Sequence, residues 1–292
     1  MNIQEYIVDG SAPFSIANAP TLVDPHYDDK KDFKKKLKNL QEDIEKLQSL
    51  MYAHNKYGVL AIFQAMDAAG KDSTMLSVFQ NVHPMGTSFV SFKRPSEEEL
   101  DHDFMWRCFK HLPERGHIKV FNRSYYEEVL VVKIHPTILT ESQKIPKAVL
   151  DAQDVWQNRY NDIKNFENYM SNNGFLVVKF FLNVSKEEQG RRLIDRINEE
   201  DKNWKFEEGD IKERARWNDY MVAYEEMINK TATPSAPWYV IPADDKLNMR
   251  LMVAKAIKEN LKSLPMSYPE ADEMRQEELK KFISIIEDQN KA

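Results

Sequence analysis

The apolar run VLAIFQA, from Val59, stops at the loop AMDAAGKD, residues 65–72, and a helical pattern, STMLSVFQNV, follows at once. A strand that is apolar throughout needs cover on both faces, so this segment asks for a parallel sheet with helices on either side. Four more short apolar runs meet that demand: TSFVSF from Thr87, HIKVFN from His117, FLVVKFFLNV from Phe175 and PWYVIPA from Pro237. Helical stretches lie between them, one opening on a cap at Ser96 with acids in its first turn. Five strands alternating with helices predict one three-layer α/β/α domain around a five-stranded parallel sheet. At 292 residues and 42% hydrophobic content the chain can bury such a core.

The flanks read differently. Phe33, Leu37, Leu40, Ile44, Leu47 and Met51 recur at spacings of three and four, which makes 28–54 an amphipathic helix whose lysines form a solvated face. The division expected is a helical extension over 1–55, a phosphotransfer-type domain over 56–265, and a C-terminal helix over 266–292 that serves packing or an oligomer contact. Between the fourth and fifth strands lies a long connection with two charged helices around a polar turn. Loops in such folds are short, so its first part, about 185–215, is expected to be a lid.

Composition narrows the function classes. The formal charge of −6 disfavours general nucleic-acid binding. A single cysteine, Cys108, excludes an internal disulfide and a cysteine zinc site, and suits a reducing compartment such as the cytoplasm. The first residues lack a basic start followed by an apolar run, and no apolar run is long enough to span a bilayer, so neither a signal peptide nor membrane insertion is expected.

Judged strictly, the loop fails the pattern G-x-x-x-x-G-K-[ST], because Ala65 replaces the first glycine and Asp72 the hydroxyl residue. Its strand–loop–helix setting restores the reading. Amides at a helix start point outward, the helix dipole favours anions there, Gly70 permits close approach and Lys71 brings a cation. Ala68, Ala69, Gly70 and Lys71, with Asp72, are therefore the candidate phosphate cradle. Asp67 departs from the pattern, since a carboxylate beside phosphates is repelled unless a cation intervenes. Magnesium, with manganese as the alternative, suits oxygen donors together with substrate phosphates. Asp67 then reads as a metal ligand or a base, against a plain turn-forming role; Asp72 reads equally as a helix cap or a chemical group. A second stretch, VFNRSYYEEVLV from Val120, sits at the end of the third strand, where Asn122, Arg123 and Glu127 would face the same crevice. Arg123 can grip a phosphate or offset transition-state charge, or else form a surface ion pair. Of the adjacent Glu127 and Glu128, one points into the site and the other is expected to face solvent.

At these residues the chain resembles the polyphosphate kinase family of the second type. The stretches that carry the likeness are QAMDAAGKDST, SFKRPSEEELDHDFMWR, FNRSYYEEVLV, SKEEQGRRLIDRI, NWKF and APWYVIPADDK, in that order. The resemblance implies a P-loop kinase-like fold and magnesium-dependent phosphoryl transfer between inorganic polyphosphate and nucleotides. It implies that Asp67 helps hold the metal, that Lys71 contacts the transferring phosphates and that Arg123 belongs to the phosphate site. The metal site would lean on Asp67 and on Glu127, with Asn122 as a neutral oxygen ligand; Asn122, Glu127 and Lys93 are the nucleotide-binding candidates. One subgroup carries aspartate at position 122 and asparagine at 127. The subgroup reading NRS-Y-E, as here, is associated with phosphorylating both nucleoside monophosphates and diphosphates, hence AMP to ADP and ADP to ATP.

Arg192 and Arg196 lie four apart on one helix face, with Arg191 turned away, an arrangement that suits a chain of phosphates under a closing lid that excludes water. The alternative is ordinary surface arginines. Lys93 reads as a nucleotide or polyphosphate contact or as a solvent-facing loop lysine, Trp204 and Phe206 as a base-stacking pair or lid packing, and Asp244 and Asp245 as caps of the final helix. A homo-oligomer, dimer or tetramer, is expected. Two rivals stand beside this reading: a thymidylate-kinase-like enzyme with a nucleoside triphosphate donor, and a catalytically silent polyphosphate- or nucleotide-binding protein.

Overall fold

The structure is a computed structural model and describes residues 1–151 and 154–291. Its sheet has strands β1 (Ile7–Val8), β2 (Gly58–Gln64), β3 (Thr87–Ser91), β4 (Ile118–Asn122), β5 (Phe175–Asn183) and β6 (Trp238–Pro242), in the order β1-β6-β5-β2-β4-β3. The five expected parallel strands are β2 to β6. The sheet has a sixth strand because the N-terminal extension adds β1 antiparallel to β6, pairing Ile7 with Tyr239. Two residues are too short to show a period, so this strand is made by its neighbour.

Every residue of β2 is buried, as befits the central strand between β4 and β5. The helices of eight residues or more are α1 (Lys30–His54), α2 (Lys71–Val78), α3 (Val155–Asn172), α4 (Lys186–Asn198), α5 (Glu208–Ala215), α6 (Trp217–Thr231), α7 (Lys246–Ser263) and α8 (Glu273–Gln289). Helices α1 and α2 pack on α7, and α3 packs on β5 and α6. Helix α1 buries Phe33, Leu37, Ile44 and Met51 of the expected stripe, while Leu40 and Leu47 are partly covered. Asp29 caps it, and Asn55, with φ +53°, ends it.

The core also holds a charged group. Lys179, in the middle of β5, is wholly buried and donates to Glu167 of α3 at 2.6 Å, to the Tyr126 hydroxyl at 3.1 Å and to the Thr231 carbonyl at 2.9 Å. All three ammonium donors are thus matched. Glu167 in turn accepts from the hydroxyls of Tyr125 and Tyr126, which anchors the turn leading to Glu127. Cys108 is buried as expected, and burial pushes its thiol up to about 12.

Helix α8 departs from the packing role. None of its residues is buried, and Met274, Leu279, Phe282, Ile283 and Ile286 are exposed. Among the described residues, no helix is long and apolar enough to cross a membrane.

Candidate active site

The loop leaves β2 at the middle of the sheet and turns into α2. Gly70 is the N-cap of α2 with φ +104°, and Ala68 lies at φ +61°, where a side chain is strained. A Cβ at Gly70 would come 3.2 Å from the Met249 methyl, a tight contact that a small shift of that flexible side chain relieves, so it is the positive φ that calls for glycine there. Lys71 opens α2, but its buried ammonium folds back to donate to the carbonyls of Ala65 at 2.8 Å and Met66 at 3.1 Å. Burial lowers its pKa to about 8, against the opposing pull of Asp67.

Asp72 does not cap α2, which has no side-chain cap. It accepts instead from Asn122 Nδ2 at 2.7 Å, joining the loop to the end of β4. Arg123 follows in the left-handed region, φ +62°, with its amide on the Phe63 carbonyl at 3.0 Å. That strained backbone sets the guanidinium between two carboxylates, 2.6 Å from Asp67 and 3.6 Å from Glu127. Burial alone would raise the Asp67 pKa, but Arg123, Lys71 and Arg196 together hold it below the ordinary value. Glu127 goes the other way, because burial outweighs Arg123 and Lys71 and raises it. With its amide turned, Gln64 at the end of β2 donates to Glu127 Oε1 at 2.9 Å. Asp67 and Arg123 remain about a third exposed, at 32% and 36%, so the pair opens on solvent and can receive a ligand.

Several expected placements differ. Glu128 does not face solvent: it is buried and paired with Arg159 at 2.7 Å, with Gln143 donating to it at 2.6 Å. The 3₁₀ turn Tyr125–Val129 sends the two adjacent glutamates to different surroundings. Arg192 is buried, and its guanidinium faces main-chain carbonyls of the loop and of the end of β6. Arg196 is paired with Asp210 of α5 at 3.2 Å and acts on the loop through its charge, which helps lower the Asp67 pKa. Lys93 is exposed beyond the edge strand β3 and is not drawn into the Asp67–Arg123–Glu127 cluster. Trp204 is 73% exposed and stacks on no other ring among the described residues. Asp245 caps α7 as expected, whereas Asp244 accepts from the amide of Ser185, the residue that starts α4.

Two residues that sequence reasoning passed over also belong here. Gln189 donates to the Asp67 carbonyl at 3.1 Å, and Asp210 holds Arg196. Gln189 lies three residues before Arg192, on the same helix face, which is the spacing that could have disclosed it.

A divalent cation can be tested against this donor set. Among the described residues, no cluster of three or more His, Cys, Asp or Glu side chains gathers. Yet Asn122 Oδ1 is buried and accepts no hydrogen bond, and Asp67 is held ionised. One or two carboxylates and a carbonyl-type oxygen, completed by substrate phosphates and water, make a set that magnesium takes. The residues fit the ion.

A glycine–lysine loop on a central parallel strand, faced by Arg123 and a carboxylate, is phosphoryl-transfer geometry. Comparison with known families places it further, since the family model described as Polyphosphate kinase 2 (PPK2) matches residues 27–269. The chain belongs to the polyphosphate kinase 2 family. Its relatives include an ADP-polyphosphate phosphotransferase of Rhodopseudomonas palustris, 49% identical over 89% of this chain and 90% of that protein. An AMP/ADP-polyphosphate phosphotransferase of Meiothermus ruber is 41% identical over 80% of this chain and 82% of its own length. The crystal structure of Polyphosphate Kinase 2 from Arthrobacter aurescens superposes with a TM-score of 0.86 at 34% identity, covering 97% of each chain. The fold is thus that of a polyphosphate kinase, and the chain is an enzyme of that class.

Proposed function

We propose that this polyphosphate kinase transfers the terminal phosphoryl group of inorganic polyphosphate to nucleoside monophosphates and diphosphates alike, giving ADP from AMP and ATP from ADP. The observation that carries the reading is the Asp67–Arg123–Glu127 cluster beside Lys71. Lys71 and the loop amides receive the phosphate chain, and Arg123 lies where charge develops on the transferring group. Asp67 and Asn122 Oδ1, with Glu127 alongside, hold the magnesium or manganese ion that accompanies the phosphates. When bound, that ion neutralises charge and holds oxygens in place. The acceptor phosphates are already ionised near neutral pH, so positioning matters more than a general base.

Other expectations belong to the same reading. The lid expected over about 185–215 closes over the loop and excludes water, which would otherwise accept the phosphoryl group. Lys93, at the outer edge, serves the more distant part of a substrate. A cytoplasmic homo-oligomer with no nucleic-acid or membrane partner completes the account; the charge of −6 and the buried lone cysteine support that setting.

The test uses AMP as sole acceptor and polyphosphate as sole donor, with magnesium. ADP should appear first and ATP after it. Glu127→Asn should lose AMP use while retaining ADP use; undiminished AMP phosphorylation by that variant would refute the role given to Glu127.

A further inference from the structure

Five consecutive loop carbonyls, Ala65 to Ala69, are held by only three side chains. Lys71 takes Ala65 and Met66, Gln189 takes Asp67 at 3.1 Å, and Arg192 Nη1 takes Ala69 at 2.7 Å and Ala68 at 3.4 Å. The remaining donors of Arg192 reach Glu188 Oε1 at 2.6 Å and the carbonyls of Ala243 at 2.6 Å and Asp244 at 2.9 Å. Its guanidinium is therefore fully engaged with protein, and its side chain is only 3% exposed. Gln189 is equally buried, and its own oxygen accepts from Arg214 of α5 at 2.7 Å. In a trans peptide the C=O and N–H point in opposite directions. Carbonyls drawn toward α4 therefore turn the amides of the same peptide planes to the other side. Among the described residues, the amides of Ala68 and Gly70 donate to no protein group.

We propose that Gln189 and Arg192 are positioning residues for phosphoryl transfer: they fix the loop so that its amides face the phosphate chain, and neither touches that chain. The first half of α4 is then part of the rigid frame, and only the segment from Arg196 onward moves as a lid. This assignment rests on the loop being the phosphate site, and it replaces a direct phosphate-binding role for Arg192.

The experiment compares Arg192→Lys, Arg192→Gln, Gln189→Leu and Arg196→Lys by kcat and KM for polyphosphate, with thermal melting to verify folding. A lysine keeps the charge but cannot span four carbonyls, so Arg192→Lys should lose kcat about a hundredfold, as Arg192→Gln does, because the loop is misplaced. Gln189→Leu should lose about tenfold in kcat, the lower end for a supporting contact. Arg196→Lys should instead raise KM and keep kcat. If Arg192→Lys keeps kcat and only raises KM, as a charge-only ligand would, the proposal is overturned. Should the Arg192 variants fail to fold, Gln189→Leu decides, since an unchanged kcat there also overturns it. A wild-type protein inactive with polyphosphate would instead overturn the function proposed above, whatever these variants do.

Discussion

Lys71 spends the substrate-free state on two carbonyls of its own loop, and burial brings its pKa down to about 8. An arriving phosphate favours the protonated form, so bound substrate raises that pKa again. The expected consequence is a fall of kcat/KM for polyphosphate as pH rises through about 8, with kcat falling only at higher pH. Lys71→Arg, which does not titrate in this range, should abolish that fall; a pH–rate profile of both proteins checks it. Lys71→Ala should lower kcat by about 10²–10³, the usual effect of removing one preorganised charge-stabilising donor. The sign for stability is opposite. The folded pKa lies below the unfolded 10.5, so between about 8 and 10.5 the unfolded chain holds the extra proton and this group makes stability rise with pH.

Among the elements, β5 and α3 are joined by the buried Lys179–Glu167 pair, whose side chains are 0% and 1% exposed. Lys179→Met would strand a buried carboxylate and should cost about 3–5 kcal/mol in denaturant unfolding. Adding Glu167→Gln should recover part of that loss, because the orphaned charge disappears. The strands themselves were legible, since each is a short apolar run with a turn behind it. Lys179 was visible only as an interruption of its run; the partners that satisfy it come from α3, from the turn after β4 and from the end of α6. Glu128 fell to the same limit, for nothing local signals that Arg159, thirty-one residues on, is its partner. Helical spacing did separate Arg192 and Arg196 from Arg191. Spacing shows which side chains share a face, but the loop carbonyls that Arg192 meets are brought there by tertiary packing.

Across the whole molecule, the two ends behave differently although residues 1–26 of the extension and all of α8 lie outside residues 27–269 of the family match. The N-terminal extension is woven in: β1 joins β6, Asn183 donates to the carbonyls of Ala19 and Pro20, and the Asp244 amide donates to Thr21. Helix α8 buries no residue. Deleting 270–292 should therefore shift the melting temperature by no more than about 1 °C, because a segment with few buried contacts adds little to global stability. Light scattering on the same deletion reports whether the exposed stripe from Leu279 to Ile286 holds copies together. The loop, β4 and α4 converge at the carboxyl ends of the central strands, which is where the sequence placed the chemistry. The most direct test of that placement is the rate of ATP formation from ADP with polyphosphate as the only donor, in the wild type and in Lys71→Ala. Wild-type protein should form ATP in step with polyphosphate loss, and Lys71→Ala should fall at least about a hundredfold. ATP formation that requires a nucleoside triphosphate donor, or that survives Lys71→Ala unchanged, would contradict the account.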